Sequence, residues 1–195
     1  MIRDFLRGAA FLLALVSLVV CCFAAPAVAE EIRYTKYNIH ANGKVNWRGE
    51  MIYKASYANY TQPPDLHKII PAGSKILITD RSRKEFEFDV VDESIKVYFE
   101  FHAPRMQMNV DEYIDLITSP SPISLAGLSD VDRKGVKDGK ASIGMSKDGV
   151  LTALGYPAKH RTPSLDAPTW VYWTNRFGTI EVDFDNQGKV KAVRD

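Results

Sequence analysis

Three stretches decide how this chain is read: Lys75-Ile76-Leu77-Ile78-Thr79, then Glu85-Phe86-Glu87-Phe88-Asp89-Val90, then Ile95-Lys96-Val97-Tyr98-Phe99-Glu100-Phe101. Their apolar residues recur with a period close to two, which is the strand signal. Asp80 to Lys84 and Val91 to Ser94 separate them, short and mostly polar pieces of the length that closes hairpins. An antiparallel meander is expected.

Upstream, Asn42-Gly43 lies between Tyr37-Asn38-Ile39-His40 and Val45-Asn46-Trp47. Because both positions tolerate positive φ, Asn-Gly predicts a two-residue hairpin turn. Pro71-Ala72-Gly73 sets a further turn before Lys75. A set of short strands this small suits a closed barrel, which removes exposed edges, better than a sandwich. Residues 30–104 are therefore expected to form a small SH3-like β-barrel, and Ile70 to Ile76 looks like the turn-strand corner of bacterial SH3-like modules.

After His102 the period changes. Asn109-Val110-Asp111-Glu112 reads as a helix cap, with Val110, Tyr113, Ile114 and Ile117 as one apolar stripe. Pro120 and Pro122 stop that helix. Ser129 to Gly139 is a second candidate helix, so 105–138 is read as a helical linker region. Beyond it, Ser146 can cap a helix over Lys147 to Leu154, with Gly155 past its end and Met145 placed to pack on Val150. Three strand patterns follow, at Thr169 to Trp173, Thr179 to Phe184 and Lys189 to Val193. A sheet that lays one face on helices, an α+β arrangement, is expected.

Gly144-Met145-Ser146 with Val150, Leu154-Gly155-Tyr156-Pro157, Trp170-Val171-Tyr172, and Val182-Asp183-Phe184 with Gly188-Lys189-Val190 resemble the SmpA/OmlA (BamE-like) domain. The resemblance covers 139–195. It implies helices on a three-stranded antiparallel sheet and a non-catalytic accessory role in outer-membrane protein assembly. A similar fold occurs in inhibitors of β-lactamases, so the resemblance leaves the partner open.

The first 29 positions differ in character from the rest. Arg3 and Arg7 precede an uncharged run from Gly8, and Ala27-Val28-Ala29 places small residues before a cut at Glu30, the layout of a signal peptide over 1–29. Pro26 and its small neighbours favour cleavage. An uncleaved anchor is the second reading, since the run is long enough to span a bilayer. A lipoprotein is the third, with Leu18 three before Cys21, although Val20 fits a lipoprotein signal poorly. All three imply export, to the periplasm or in association with the outer membrane, and membrane association stays open. Both cysteines lie in this segment, so packing alone must hold the body.

Lys and Arg number 25 against 24 Asp and Glu, with 46% hydrophobic residues, which is a globular composition without the basic field that nucleic-acid binding needs. His40, His67, His102 and His160 are never within four residues of one another, so no metal motif is formed. Nucleophile and phosphate-loop motifs are missing too, and neither catalysis, metal nor cofactor is expected. Asn59-Tyr60-Thr61 matches a glycosylation sequon.

Two clusters suggest binding instead. The proline-bounded loop Tyr156 to Pro163 contributes His160 and Arg161, and the strand with Trp170, Tyr172 and Trp173 is followed by Arg176. Positions 170 and 173 face opposite sides of a strand, so if Trp170 is core then Trp173 is the contact candidate. His160, Arg161, Trp173 and Arg176 are the candidate partner-binding residues. The expected function is that of a non-enzymatic envelope protein that binds another envelope protein or a cell-wall or membrane component. A cell-wall polymer module and an inhibitor of an exported enzyme are the alternatives.

Overall fold

The computed structural model describes residues 31–63 and 66–195, so the signal-peptide reading of 1–29 lies outside the described residues. Eleven strands and four short helices follow one another. They are β1 (Glu31–Thr35), β2 (Ile39–Val45), β3 (Met51–Ser56), β4 (His67–Ile70), β5 (Lys75–Arg81), β6 (Glu85–Val90) and β7 (Ile95–Glu100), then α1 (Ala103–Met106), α2 (Val110–Ile117), β8 (Thr118–Ser119), α3 (Asp130–Asp138), α4 (Lys147–Leu154), β9 (Thr169–Trp173), β10 (Thr179–Phe184) and β11 (Val190–Arg194).

The first eight strands make one mixed sheet in the order β4-β2-β3-β7-β6-β5-β1-β8, in which only β3 and β7 pair in parallel. This order forces a curl. In a flat sheet β1 and β2 would lie five strand spacings, about 24 Å, apart. Only Lys36, Tyr37 and Asn38 join them, a reach of about 15 Å. The link from β4 to β5, Pro71 to Ser74, makes the same jump beside it. The two links are tied together: Thr35 donates to Ser74 O (3.0 Å), Gly73 to Thr35 O (2.7 Å), and Ala72 N–H to the Asn38 side chain (2.9 Å).

The concave side holds the larger core. Alternate residues of β5, β6 and β7 point inward, among them Ile76, Ile78, Phe86, Phe88, Val97 and Phe99, and Phe86 stacks on Phe99 at 4.5 Å. Helix α2 closes the concavity with Tyr113, Ile114 and Ile117, and its Asn109–Glu112 capping box satisfies the orphan donors of its first turn.

The remaining strands make a small antiparallel sheet, β11-β10-β9. Trp170, Tyr172, Ile180, Val182 and Phe184 form a second core with Val150, Leu151 and Leu154 of α4. Helix α3, capped by Ser129 and ended by Gly139 at positive φ, packs beside α4. Tyr37 and Tyr156 touch both cores.

The expected fold is corrected on both sides. The SH3-like barrel is instead an open, curled half-barrel of eight strands, because β1 recruits β8 from the far side of α2 and both edges, β4 and β8, stay unpaired with each other. Nor is the C-terminal part a BamE-like layer of helices on a sheet. Strands carry the molecule, and α4 is wedged between the two sheets: its last carbonyls accept from β2 and from the segments flanking β2 and β3, Thr152 O from Asn38 N–H (2.8 Å), Ala153 O from His40 Nε2 (2.9 Å) and Leu154 O from Asn59 Nδ2 (2.6 Å). Asn42-Gly43 is no turn either, since both residues lie inside β2 opposite Lys54 and Tyr53. Glycine is needed there because Leu66 crosses over it: a Cβ at 43 would meet the Leu66 Cβ at 3.0 Å. The turn comes later, at Asn46 to Glu50, and leaves Trp47 exposed.

Asn38, 1% exposed, is the hub of this junction. Besides accepting from Ala72, its amide donates to Val136 O (2.7 Å) and Ala153 O (3.2 Å). Asn38→Ala would leave these buried groups without their partner, each worth roughly 1–3 kcal/mol. We expect a loss of more than about 3 kcal/mol in urea unfolding; a loss below about 1 kcal/mol would show the junction to be unimportant.

His40 gives the junction a pH dependence. Because a carbonyl only accepts, Nε2 carries the proton toward Ala153, and Nδ1 accepts from His67 Nε2 (2.9 Å). Burial lowers its pKa to about 4, while the bond to Ala153 opposes the shift and His67 adds to it. The unfolded chain therefore binds more protons between pH 6.5 and 4, and stability falls as pH drops through that window by about 3 kcal/mol. Unfolding midpoints at pH 7.5 and 4.5 measure this, and His40→Gln should flatten the difference.

Candidate functional site

A cleft of about 750 Å³ opens where the two sheets meet. Its walls come from five places: Ser56 at the end of β3 with Tyr57 and Tyr60 just after it, Glu100 at the end of β7, Arg105 in α1, His160 and Arg161 in the loop before β9, and Trp173 and Arg176 at the end of β9. The segment after β3 is stitched to β9, with Thr61 N–H donating to Trp173 O (3.0 Å) and Gln62 N–H to Thr174 O (2.8 Å). That stitching fixes the width of the cleft.

Local chemistry places each side chain. Residues 158–162 turn back on themselves, with Arg161 and Thr162 N–H both donating to Ala158 O, and His160 N–H donates to Arg105 O (3.0 Å), which ties that loop to α1. At the other wall the Asn175 side chain accepts from Phe177 N–H (2.8 Å) and Gly178 N–H (2.9 Å), forming the turn that presents Arg176. Two guanidinium groups rest on aromatic rings, Arg161 over Trp173 at 5.7 Å and Arg105 over Tyr57 at 5.8 Å, and Arg105 also donates to the Tyr57 hydroxyl. Such contacts hold flexible side chains in place before a ligand arrives.

The electrostatics are one-sided. Three arginines face a single carboxylate, Glu100. Burial, then the charges of Arg105 and Arg161, lower the pKa of His160, so its ring is neutral at pH 7 and offers both a donor and an acceptor. Burial raises the pKa of Tyr60, which keeps its hydroxyl protonated.

All four candidate residues read from the sequence, His160, Arg161, Trp173 and Arg176, line this one cleft. Trp170 and Trp173 do face opposite sides: Trp170, 1% exposed, belongs to the smaller core, whereas Trp173 is half-buried and packs on the larger one. Ser56, Tyr57, Tyr60, Glu100 and Arg105 escaped the sequence reading. They carry no motif, and contacts between elements distant in sequence bring them in: Arg105 O holds the loop at His160, Tyr57 N–H donates to Glu100 O, and Thr61 and Gln62 pair with Trp173 and Thr174. Asn59, by contrast, leaves the list of surface features. It is 5% exposed and its side chain is spent on Leu154 O, Asn38 O and His40 N–H, so the sequon sits in the junction rather than on the surface. Among the described residues no three His, Cys, Asp or Glu side chains converge as a metal cluster would.

The half-buried place of Trp173 sets its energetic share. Trp170→Ala should cost about 3 to 5 kcal/mol, as loss of a buried Trp does, and Trp173→Ala about half of that. Chemical denaturation of the two variants decides it, and a larger loss at 173 would reverse the assignment of the faces.

Comparison with protein-family models, with curated proteins and with solved structures finds no match to this chain, so the chemistry of the cleft rests on its own residues.

Proposed function

We propose that this chain is a non-enzymatic binding protein of the cell envelope, exported to the periplasm or the outer membrane, which holds an acidic group of a partner in the arginine cleft between its sheets. The observation that carries the reading is the convergence of Arg105, Arg161 and Arg176 beside neutral His160, with one opposing carboxylate. Guanidinium forks match the planar geometry of carboxylates bidentately, and their seats on Trp173 and Tyr57 reduce the entropy lost on binding.

Binding rather than turnover is supported by how the polar groups are spent. Ser56 Oγ, the aliphatic hydroxyl lining the cleft, makes no hydrogen bond to His160 or Glu100, and among the described residues no carboxylate accepts from the His160 ring as a catalytic base would need. The large residues needed for a contact surface are present instead: Trp, Tyr and Arg are the types that dominate interface energies.

A fluorescein-labelled triglutamate, titrated with the mature protein at low salt and followed by anisotropy, tests this. Saturable binding that weakens as salt rises is expected, with Arg161→Gln and Arg176→Gln each costing about tenfold in affinity, or about 1.4 kcal/mol. Absence of saturable binding up to about 1 mM, or indifference to both substitutions, overturns the reading.

A further inference from the structure

The arginine cleft does not end at Glu100. A second depression of about 210 Å³ shares Ser56, Tyr60 and Glu100 with it and runs on past Asn42, Lys44 and Lys54. Its floor is the outer face of the curled sheet, where the register places Asn42 opposite Lys54 and Ser56 opposite Glu100, while the intervening Ala41, Ala55 and Phe99 point into the core. The result is one trough crossing β2, β3 and β7 and opening into the cleft.

Two atoms in this trough stand out. Ser56 is 9% exposed, and neither its Oγ nor the Oδ1 of Asn42 makes a hydrogen bond within the protein, although both atoms are buried. Buried polar groups are satisfied almost everywhere else in folded chains, because each unsatisfied one costs stability. Among the described residues only three buried side-chain atoms lack a partner, and two of them share this trough. They are aligned along a path that leads to a preorganised cationic pocket.

We infer that the trough is a subsite for the main chain of an extended, acidic polypeptide segment whose carboxylates occupy the arginine cleft; this rests on the reading of the cleft given above. Asn42 Oδ1 is an acceptor and calls for an N–H or O–H donor, and an extended peptide supplies N–H donors regularly along its length. The phosphodiester groups of a phosphate polymer bring acceptors only and would leave Asn42 unsatisfied. A glycan brings donors, but it also stacks its ring faces on aromatic side chains, and two of the three Tyr and Trp rings here, Trp173 and Tyr57, already carry the guanidinium groups of Arg161 and Arg105. Lys44 and Lys54 at the far end favour further acidic side chains on the ligand.

The test compares two labelled peptides on the mature protein: triglutamate, which fills only the cleft, and triglutamate extended by six Gly and Ser residues, about 20 Å of extended chain. The longer peptide is expected to bind about tenfold tighter. Asn42→Ala, which lies in the trough and outside the cleft, should erase that gain and leave triglutamate unchanged. Because Asn42 Oδ1 has no partner inside the protein, Asn42→Ala should keep its thermal midpoint, which separates lost binding from lost folding. Equal affinity for the two peptides, or equal weakening of both by Asn42→Ala, overturns the subsite while the cleft stands. If the long peptide binds and depends on Asn42 but triglutamate does not bind, the cleft reading falls and the trough stands. If neither binds, both fall. Asn42-dependent binding of a tetragalacturonate in place of the peptide overturns the polypeptide assignment in favour of a glycan.

Discussion

The three-residue link from β1 to β2 is the constraint on which the rest of the molecule depends. A chain that must pass from one flank of an eight-stranded sheet to the other within Lys36, Tyr37 and Asn38 can do so only if the sheet curls until its flanks approach. Such a crossing buries polar backbone, and Asn38 answers for it by using its own N–H, its carbonyl and both ends of its amide. Three of the groups it bonds, Val136 O, Thr152 O and Ala153 O, are last-turn carbonyls of α3 and α4, which a helix cannot satisfy internally. One buried side chain thus closes the curl and docks the helices on the same spot, so the small sheet arrives at a fixed place beside the large one.

The cleft is a consequence of that docking. With α4 wedged at the β1–β2 corner, β9 is brought alongside the segment that leaves β3, and the two pair through Thr61 and Gln62. The space left between the ends of β3, β7 and β9 is what the arginines line. Any change that loosens the corner therefore alters the width of the cleft without touching a residue in it.

Where the sequence carried a local signal, the structure could be foreseen. The β5-β6-β7 meander alternates residue by residue and closes through short polar turns, and the caps at Asn109, Ser129 and Ser146 lie within four residues of the groups they serve. What failed was settled at long range. Asn42-Gly43 reads as a turn because nothing nearby announces that Leu66 will lie across it, and barrel closure was expected because no local pattern announces that Thr118 and Ser119 will extend the sheet at β1. The site divides in the same way. His160, Arg161, Trp173 and Arg176 were visible as large polar and aromatic residues around one loop and one strand end, while Arg105, Glu100 and Ser56 join them only through packing of elements distant in sequence.

The charge distribution then limits how such a cleft can work. A chain with 25 basic and 24 acidic residues has no net field to gather ligands from a distance, and screening removes most of what an exposed cluster projects beyond about 10 Å. Steering is weak, so affinity must come from contact: forks aligned on carboxylates and aromatic rings that hold those forks still. Contact-based recognition discriminates by shape, because a carboxylate placed an ångström too far from Arg161 or Arg176 loses the bidentate geometry that makes arginine effective. The same logic explains why one carboxylate, Glu100, is tolerated at the rim. Under the proposed function it would repel an acidic ligand that enters out of register, whereas a ligand that brings a donor to it would be accepted, so Glu100 would sharpen the choice of register.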